Sequence, residues 1–184
     1  MTDIAARYRR LAARFTEIAE AVPDDRWDAA SPCEGWTVAD VVAHVADSQV
    51  DFLSRHDLLD GAVDPDAHPL ARWVAVRDRF QAALDDPEVA DRTYDGYFGP
   101  TTIGETAETF YTGDLLVHGW DVARGAGLGH LESLPADEVD RVLASMQDLP
   151  EEALRSEQVY GPAIEVPEDA DPQTRFLAFT GRRP

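Results

Sequence analysis

The chain has 184 residues, of which 44% are hydrophobic and 28% are charged, a composition typical of one soluble globular domain with a hydrophobic core. Its formal net charge of −20 repels DNA and anionic membrane surfaces, so the charge excludes nucleic acids and membranes as partners. No apolar run approaches the roughly 18 residues of a membrane span. The first residues lack the apolar core of a secretory signal, so we expect a cytoplasmic protein.

Helical patterns dominate the first half of the chain. An amphipathic helix is predicted over residues 3–22, where apolar side chains recur at steps of three and four. Thr37 is a good N-cap and forms a capping-box-like pair with Asp40, so a second helix is predicted to begin there and to end before Gly61. Four apolar residues mark a third helix, which stops at residues 85–87. They are Trp73, Val76, Phe80 and Leu84.

The second half begins with a segment that lacks helical periodicity. Residues 88–100 are rich in Tyr, Gly and Pro and are interpreted as an ordered loop with a short extended piece. A fourth helix is predicted from Thr101 or Thr102 to about Arg124, where a glycine-rich segment ends it. A fifth helix is expected over about 136–149, followed by an irregular tail with one short helix.

These elements predict an all-α fold, a bundle of four main helices with an extra helix and an irregular C-terminal tail. One domain is expected over residues 1–184, with the bundle over about 3–150 and a C-terminal extension over about 151–184. Such bundles hold ligands and metals between facing helices, on side chains that project inward.

A histidine of the second helix and an acidic–histidine pair of the fourth are the residues best suited to metal chemistry. Asp114 and His118 stand four residues apart, so their side chains project from one face. With His44 they would supply three donors and leave a position open, as in a catalytic zinc site. Nickel, iron or manganese would accept the same donors. The structural alternatives are a partly buried His44 and an ordinary polar helix surface at Asp114 and His118.

Asp121 and Cys33 are the next candidates. Asp121 can orient an imidazole through a hydrogen bond, or form a salt bridge to Arg124 or a neighbour. Cys33 is the single cysteine, so an internal disulfide is excluded. We interpret it as a small packing residue under Trp36, with a reactive thiol near a helix N-terminus as the alternative.

Three further histidines are weaker candidates. His56 and His68 flank the loop after the second helix and are expected to be exposed, and His130 follows a glycine-rich turn. The sequence has no nucleophile-elbow serine, no phosphate-binding loop and no dinucleotide fingerprint.

Two segments resemble the DinB-like superfamily in its mycothiol-dependent maleylpyruvate isomerase branch. The first is residues 31–45, SPCEGWTVADVVAHV, and the second is residues 114–124, DLLVHGWDVAR. The ending at residues 161–175 is similar to an actinobacterial subgroup of metal-binding proteins. The resemblance covers nearly the whole chain.

This resemblance implies a DinB-like four-helix bundle with a divalent metal, usually zinc, at one end. The family's first ligand falls on His44, and the acidic and histidine ligands fall on Asp114 and His118. Asp114 is shorter than a glutamate at that position, which leaves Asp121 as the reserve ligand or as a partner behind the ligands.

The resemblance also implies mycothiol as co-substrate of an isomerase or S-transferase that acts on a small electrophile. The isomerase carries a second domain that contributes to its active site, and the tail here is too short to supply one. We therefore expect thiol-dependent reaction with some other electrophile rather than isomerisation of maleylpyruvate. A metal-dependent hydrolase and a non-catalytic metal- or ligand-binding stress protein are the alternatives. The expected partners are a low-molecular-weight thiol and a small substrate, in a monomer or homodimer.

Overall fold

The chain is predominantly helical, which confirms the predicted all-α class. A computed structural model describes residues 3–147, 155 and 160–183. In chain order the helices and strands are α1 (Asp3–Glu20), α2 (Val38–Arg55), α3 (Pro69–Asp85), α4 (Pro87–Ala90), β1 (Thr93–Gly96), β2 (Gly99–Thr102), α5 (Ile103–Thr106), α6 (Thr112–Ala126), α7 (Ala136–Gln147) and α8 (Pro172–Phe179). None of the helices in the described part of the chain is long and apolar enough to cross a membrane.

The helices α1, α2, α3 and α6 enclose one hydrophobic core. Phe15 of α1 meets Trp73 of α3 edge-on, and Tyr8 stacks on Phe80, each pair with ring centroids 4.9 Å apart. The hydroxyl of Tyr8 is buried and donates a 2.7 Å hydrogen bond to Oε1 of Gln49 on α2. This bond avoids the free-energy cost of a buried polar group without a partner. These contacts tie α1 to both α2 and α3.

A capping box fixes where α2 begins. The side chain of Thr37 accepts a hydrogen bond from the backbone N–H of Asp40, and the Asp40 carboxylate accepts one from the N–H of Thr37. The helix starts at the next residue, Val38, and ends at Arg55, as predicted. A box of this type satisfies two N–H groups that the first helical turn leaves unpaired.

The fourth predicted helix is also confirmed, with an irregularity that the sequence pattern did not reveal. Thr102 and Glu105 form a second capping box at its start. Residues 107–111 form one π-helical turn between α5 and α6. Such turns occur often at functional sites, since the extra residue rotates the side chains that follow. Gly127 ends α6 in the left-handed conformation, with φ of 76°.

The segment between α3 and α5 is more regular than predicted. The expected extended piece is present, but it has a partner, since Thr93 pairs with Thr102 and Gly96 with Gly99 in an antiparallel hairpin. The short helix α4 was not predicted either. Elements of four residues are too short to show either strand alternation or helical periodicity, so the sequence pattern revealed neither the strand pairing nor α4. Tyr97 at the hairpin tip is 90% exposed.

The C-terminal segment brings α8 against α7 and ends in a tight turn. The helix α7 starts at Ala136 as predicted, while its expected end near residue 149 lies outside the described residues. The predicted short helix of the tail is α8. After it, the N–H of Arg182 donates to the carbonyl of Leu177 at 2.8 Å, and that of Gly181 to Ala178 at 3.1 Å. This pair of bonds is a Schellman motif.

Candidate metal centre

The residues His44, Asp114 and His118 meet where α2 passes α6. One nitrogen or carboxylate oxygen of each lies within 4.8 Å of the corresponding atoms of the other two. The two imidazole rings are 5.2 Å apart between centroids, at 75° to each other. Bonds from nitrogen or oxygen to zinc are about 2.0–2.2 Å long, so small side-chain rotations bring all three donors onto one ion.

The donor set fits a divalent metal. Two imidazoles and one carboxylate suit zinc, nickel, iron or manganese. His44 and Asp114 are half-buried, and within the described residues neither forms a hydrogen bond that would occupy its lone pairs. The donor atoms of both side chains are therefore available to a ligand.

One side of His44 faces solvent. Trp36 packs against its ring with centroids 4.9 Å apart. Both residues line an open depression of about 490 Å³, together with Asp40 and Asp47. Trp36 thus forms a wall of this depression, whereas Trp120 is buried in the core. A small molecule can reach His44 from this side.

His118 is oriented by Asp121. Its Nδ1 lies 3.0 Å from Oδ2 of Asp121, one turn further along α6. With Nδ1 engaged, Nε2 is the nitrogen that remains for a metal. A carboxylate behind a ligating imidazole is a common feature of metal sites, where it fixes the ring's orientation and strengthens its basicity.

The salt bridge between Asp121 and Arg124, which the sequence left open as an alternative, is not formed. Arg124 instead pairs with Glu132, with Nη1 and Oε2 2.7 Å apart. Asp121 is fully buried and forms a bidentate salt bridge with Arg182 near the C-terminus. In it Nε donates a hydrogen bond to Oδ1 at 3.2 Å, and Nη2 donates one to Oδ2 at 2.8 Å. Burial alone raises the pKa of Asp121, but His118 and Arg182 outweigh burial and lower it. The carboxylate is therefore ionised, between two cationic partners.

Cys33 is half-buried and packs against the core, and its thiol also joins this polar cluster, a role that the sequence did not predict. Its thiol donates to Oδ2 of Asp121 at 3.2 Å and accepts from Nη2 of Arg182 at 3.3 Å. Cys33, His118 and Asp121 form a second group of potential metal donors within 4.8 Å of one another. His118 is common to both groups.

The two histidines have opposite pKa shifts. Burial lowers the pKa of His44, and the neighbouring charge of His118 lowers it further. Burial would also lower the pKa of His118, but hydrogen bonds to Asp121 and Cys33, with the charges of Asp121 and Asp114, raise it to about 10. At neutral pH His44 is ready to ligate, whereas His118 must first lose a proton.

A larger cavity lies between the β1–β2 hairpin, the C-terminal end of α2 and the π-helical turn. It measures about 710 Å³, and its lining includes six Phe and Tyr side chains, among them Phe98, Phe110 and Tyr111. The hydroxyl of Tyr111 donates to the carbonyl of Ser48, one turn beyond His44 on α2. Burial, followed by the charge of Asp114, raises the pKa of Tyr111. Tyr111 therefore stays neutral where it lines the cavity, close to Asp114.

The remaining histidines lie away from the site. His68 is exposed, as expected, and His130 is exposed as well. His56 is half-buried, contrary to expectation, because it packs between Phe52 and Tyr94 at 4.6 and 4.2 Å between ring centroids. Arg182 was not identified from the sequence, since no periodic pattern or motif in the tail connects it to α6.

Comparison with models of protein families gives a match over most of the chain. The family model described as the mycothiol maleylpyruvate isomerase N-terminal domain matches residues 8–123. No curated protein and no solved structure matches the chain. The matched region includes both groups of donors and stops well before Arg182.

Proposed function

Because the chain belongs to the mycothiol maleylpyruvate isomerase N-terminal domain family, we propose that it is a metal-dependent enzyme that uses a low-molecular-weight thiol of the mycothiol type. Its reaction would be isomerisation of a small electrophile or transfer of the thiol to it. The observation that carries the proposal is the convergence of His44, Asp114 and His118 beside an open depression.

The proposed ligands are His44, Asp114 and His118, with zinc as the metal. Asp114 is preferred over Asp121 as the carboxylate ligand because Asp121 already binds His118, Arg182 and Cys33. Three protein ligands with an open side are typical of catalytic sites. When bound, such a metal lowers the pKa of a thiol that reaches its open position.

The protein's own residues orient and shield this site. Asp121 holds the ring of His118, and Trp36 restricts the approach to His44. The cavity that Tyr111 lines suits an electrophile with an apolar or aromatic body, since six Phe and Tyr side chains contribute to its walls. We therefore assign the depression beside Trp36 to the thiol and this cavity to the electrophile.

The chemistry balances without an oxidant or reductant. In isomerisation, the thiol gives its proton to solvent, its sulfur forms a bond to one carbon of an electron-poor double bond, and the π electron pair moves to the adjacent electron-withdrawing group. Rotation about the resulting single bond follows. The carbon–sulfur bond then breaks, the double bond forms again, and the thiolate takes up a proton from solvent, so the thiol is released unchanged. In transfer, a leaving group departs with its electron pair instead.

The test combines metal, thiol and an electrophile. The zinc-loaded protein is mixed with mycothiol and a chloroarene or a cis-configured unsaturated keto acid, and product is measured against a reaction without protein. We expect thiol-dependent turnover that His118→Ala abolishes and that His130→Ala, an exposed histidine, leaves unchanged. Hydrolysis of activated esters without thiol would instead favour a metal hydrolase. The absence of product in both the thiol-dependent assay and the ester-hydrolysis assay would contradict an enzymatic function.

A further inference from the structure

Arg182 occupies the centre of the second donor group. Its guanidinium contacts both oxygens of Asp121, at 3.2 and 2.8 Å, and the sulfur of Cys33 at 3.3 Å. Its third nitrogen, Nη1, donates to the carbonyl of Thr180 at 2.8 Å. The side chain is only 10% exposed. Every nitrogen of this cation is therefore used within the cluster or by its own turn.

The Schellman turn after α8 delivers this side chain. Gly181 has φ of 80°, a left-handed conformation that favours glycine. A Cβ on Gly181 would also lie 3.2 Å from the carbonyl oxygen of Pro162. Phe176 and Leu177 anchor α8 in the core. The turn is therefore fixed on both sides, and Arg182 enters the cluster from a set direction.

The cluster has the composition of a cation site. Cys33, His118 and Asp121 present sulfur, nitrogen and oxygen donors within 4.8 Å of one another, and sulfur with imidazole is a donor combination that zinc binds readily. A buried carboxylate such as Asp121 needs a positive partner. Arg182 supplies that charge, and its guanidinium contacts the Asp121 oxygens and the Cys33 sulfur that a metal ion at this position would bind.

We propose that Arg182 is a built-in cation that closes the second donor group and so confines the divalent metal to His44, Asp114 and the opposite nitrogen of His118. This inference rests on the proposed metal centre. With Arg182 in place, Cys33 stays out of the coordination sphere. An internal sulfur ligand would compete with the external thiol for the metal's open position, so Arg182 preserves that position for the co-substrate.

Cobalt(II) reports directly on sulfur ligation, because a thiolate bound to cobalt gives an intense charge-transfer absorption in the near ultraviolet. The full-length protein, Arg182→Ala and Arg182→Gln are titrated with cobalt. Arg183→Ala is the matched control, since it removes an exposed arginine one residue away. We expect no thiolate absorption in the wild type or the control. We expect a clear band in both Arg182 variants, which Cys33→Ser in the same background removes.

The outcomes separate the two proposals. Wild-type protein that takes up no cobalt contradicts the metal centre and the role of Arg182 together. Two results would overturn the role of Arg182 alone, provided that the protein binds one equivalent of cobalt. The first is a thiolate band already present in the wild type, and the second is the absence of that band in a folded Arg182 variant. If neither variant folds, the role of Arg182 is tested in the wild type by the rate at which iodoacetamide alkylates Cys33. Zinc should change that rate less than twofold, and strong protection by zinc would refute the inference.

Discussion

The carboxylate of Asp121 lies 3.0 Å from Nδ1 of His118, and both residues belong to α6. This contact leaves Nε2 as the nitrogen that His118 offers to a metal. Asp121 is held in turn by Arg182, which follows it by 61 residues. The direction in which His118 presents its free nitrogen therefore depends on a buried carboxylate and on the C-terminal turn.

Removing the charge of Asp121 should weaken metal binding. In Asp121→Asn the side chain keeps its size, but it no longer favours a strongly basic His118 ring. Substitution of a partner behind a ligand lowers metal affinity by about 10–100-fold. Zinc affinity is measured by competition with a chromogenic chelator at several pH values and compared as the pH-independent binding constant, because removal of the Asp121 charge also lowers the pKa of His118 and so weakens the competition from protons.

Asp51→Asn is the matched control for this experiment, because Asp51 is an exposed residue of α2 that pairs with Arg55. Its zinc affinity should equal that of the wild type. An Asp121→Asn protein with wild-type affinity would show that the carboxylate does not support the metal site.

Metal affinity should rise with pH. The pKa of His118 is raised to about 10, so at neutral pH a metal must displace a proton from this ring. Affinity should increase by up to about tenfold between pH 7 and pH 8, since one proton is released. His44 adds little to this dependence, because its pKa is lowered. Chelator competition at several pH values measures the slope, and a flat profile would contradict a protonated His118.

The same shift predicts the stability of the metal-free protein. A folded-state pKa of about 10 lies above the ordinary value of about 6.5. The proton on His118 therefore stabilises the fold fully below about pH 6.5, and this contribution disappears as the pH rises towards 10. Urea unfolding at pH 6, 8 and 10 should give a decreasing free energy of unfolding. An increase over this range would refute the assignment.

Arg182 should also matter for stability. In Arg182→Met the fully buried Asp121 loses its bidentate partner. Breaking a buried ion pair from one side costs roughly 3–5 kcal/mol, and we expect the lower end because His118 remains. Urea unfolding at pH 7 measures the loss. Arg183→Met should be near neutral, and equal effects of the two substitutions would contradict the structural role of Arg182.

Phe110 should affect binding of the electrophile more than the chemical step. It lines the aromatic cavity and stacks near Phe98, with ring centroids 6.3 Å apart. Phe110→Ala removes apolar contact worth about 1–2 kcal/mol, so KM for an aromatic electrophile should rise roughly tenfold. Steady-state kinetics should give kcat within about twofold, with unchanged zinc content. A fall in kcat at constant KM would place the electrophile elsewhere.

The fold was largely predictable because its main signals are local. The Thr37–Asp40 capping box and the apolar spacing within each long helix are visible within a few residues of sequence. The hairpin was only half predicted, since strands of four residues with Gly and Pro lack a clear alternation. The π-helical turn at residues 107–111 leaves no local signal in the apolar pattern.

The candidate site was predictable only where its residues share a helix or a family motif. Spacing placed Asp114 and His118 on one face, the second predicted helix supplied His44, and the resemblance implied all three as ligands; their role as metal ligands stays a prediction. Cys33 and Arg182 reach Asp121 from 88 and 61 residues away. Contacts of this kind are set by tertiary packing, so periodicity and spacing cannot reveal them.

The most direct test is a crystal of the zinc-loaded protein measured on both sides of the zinc absorption edge. One anomalous-scattering peak should appear between α2 and α6, bonded to His44, Asp114 and Nε2 of His118 at about 2.0–2.2 Å. A peak among Cys33, Nδ1 of His118 and Asp121, or no peak at either position, would contradict the proposed metal centre.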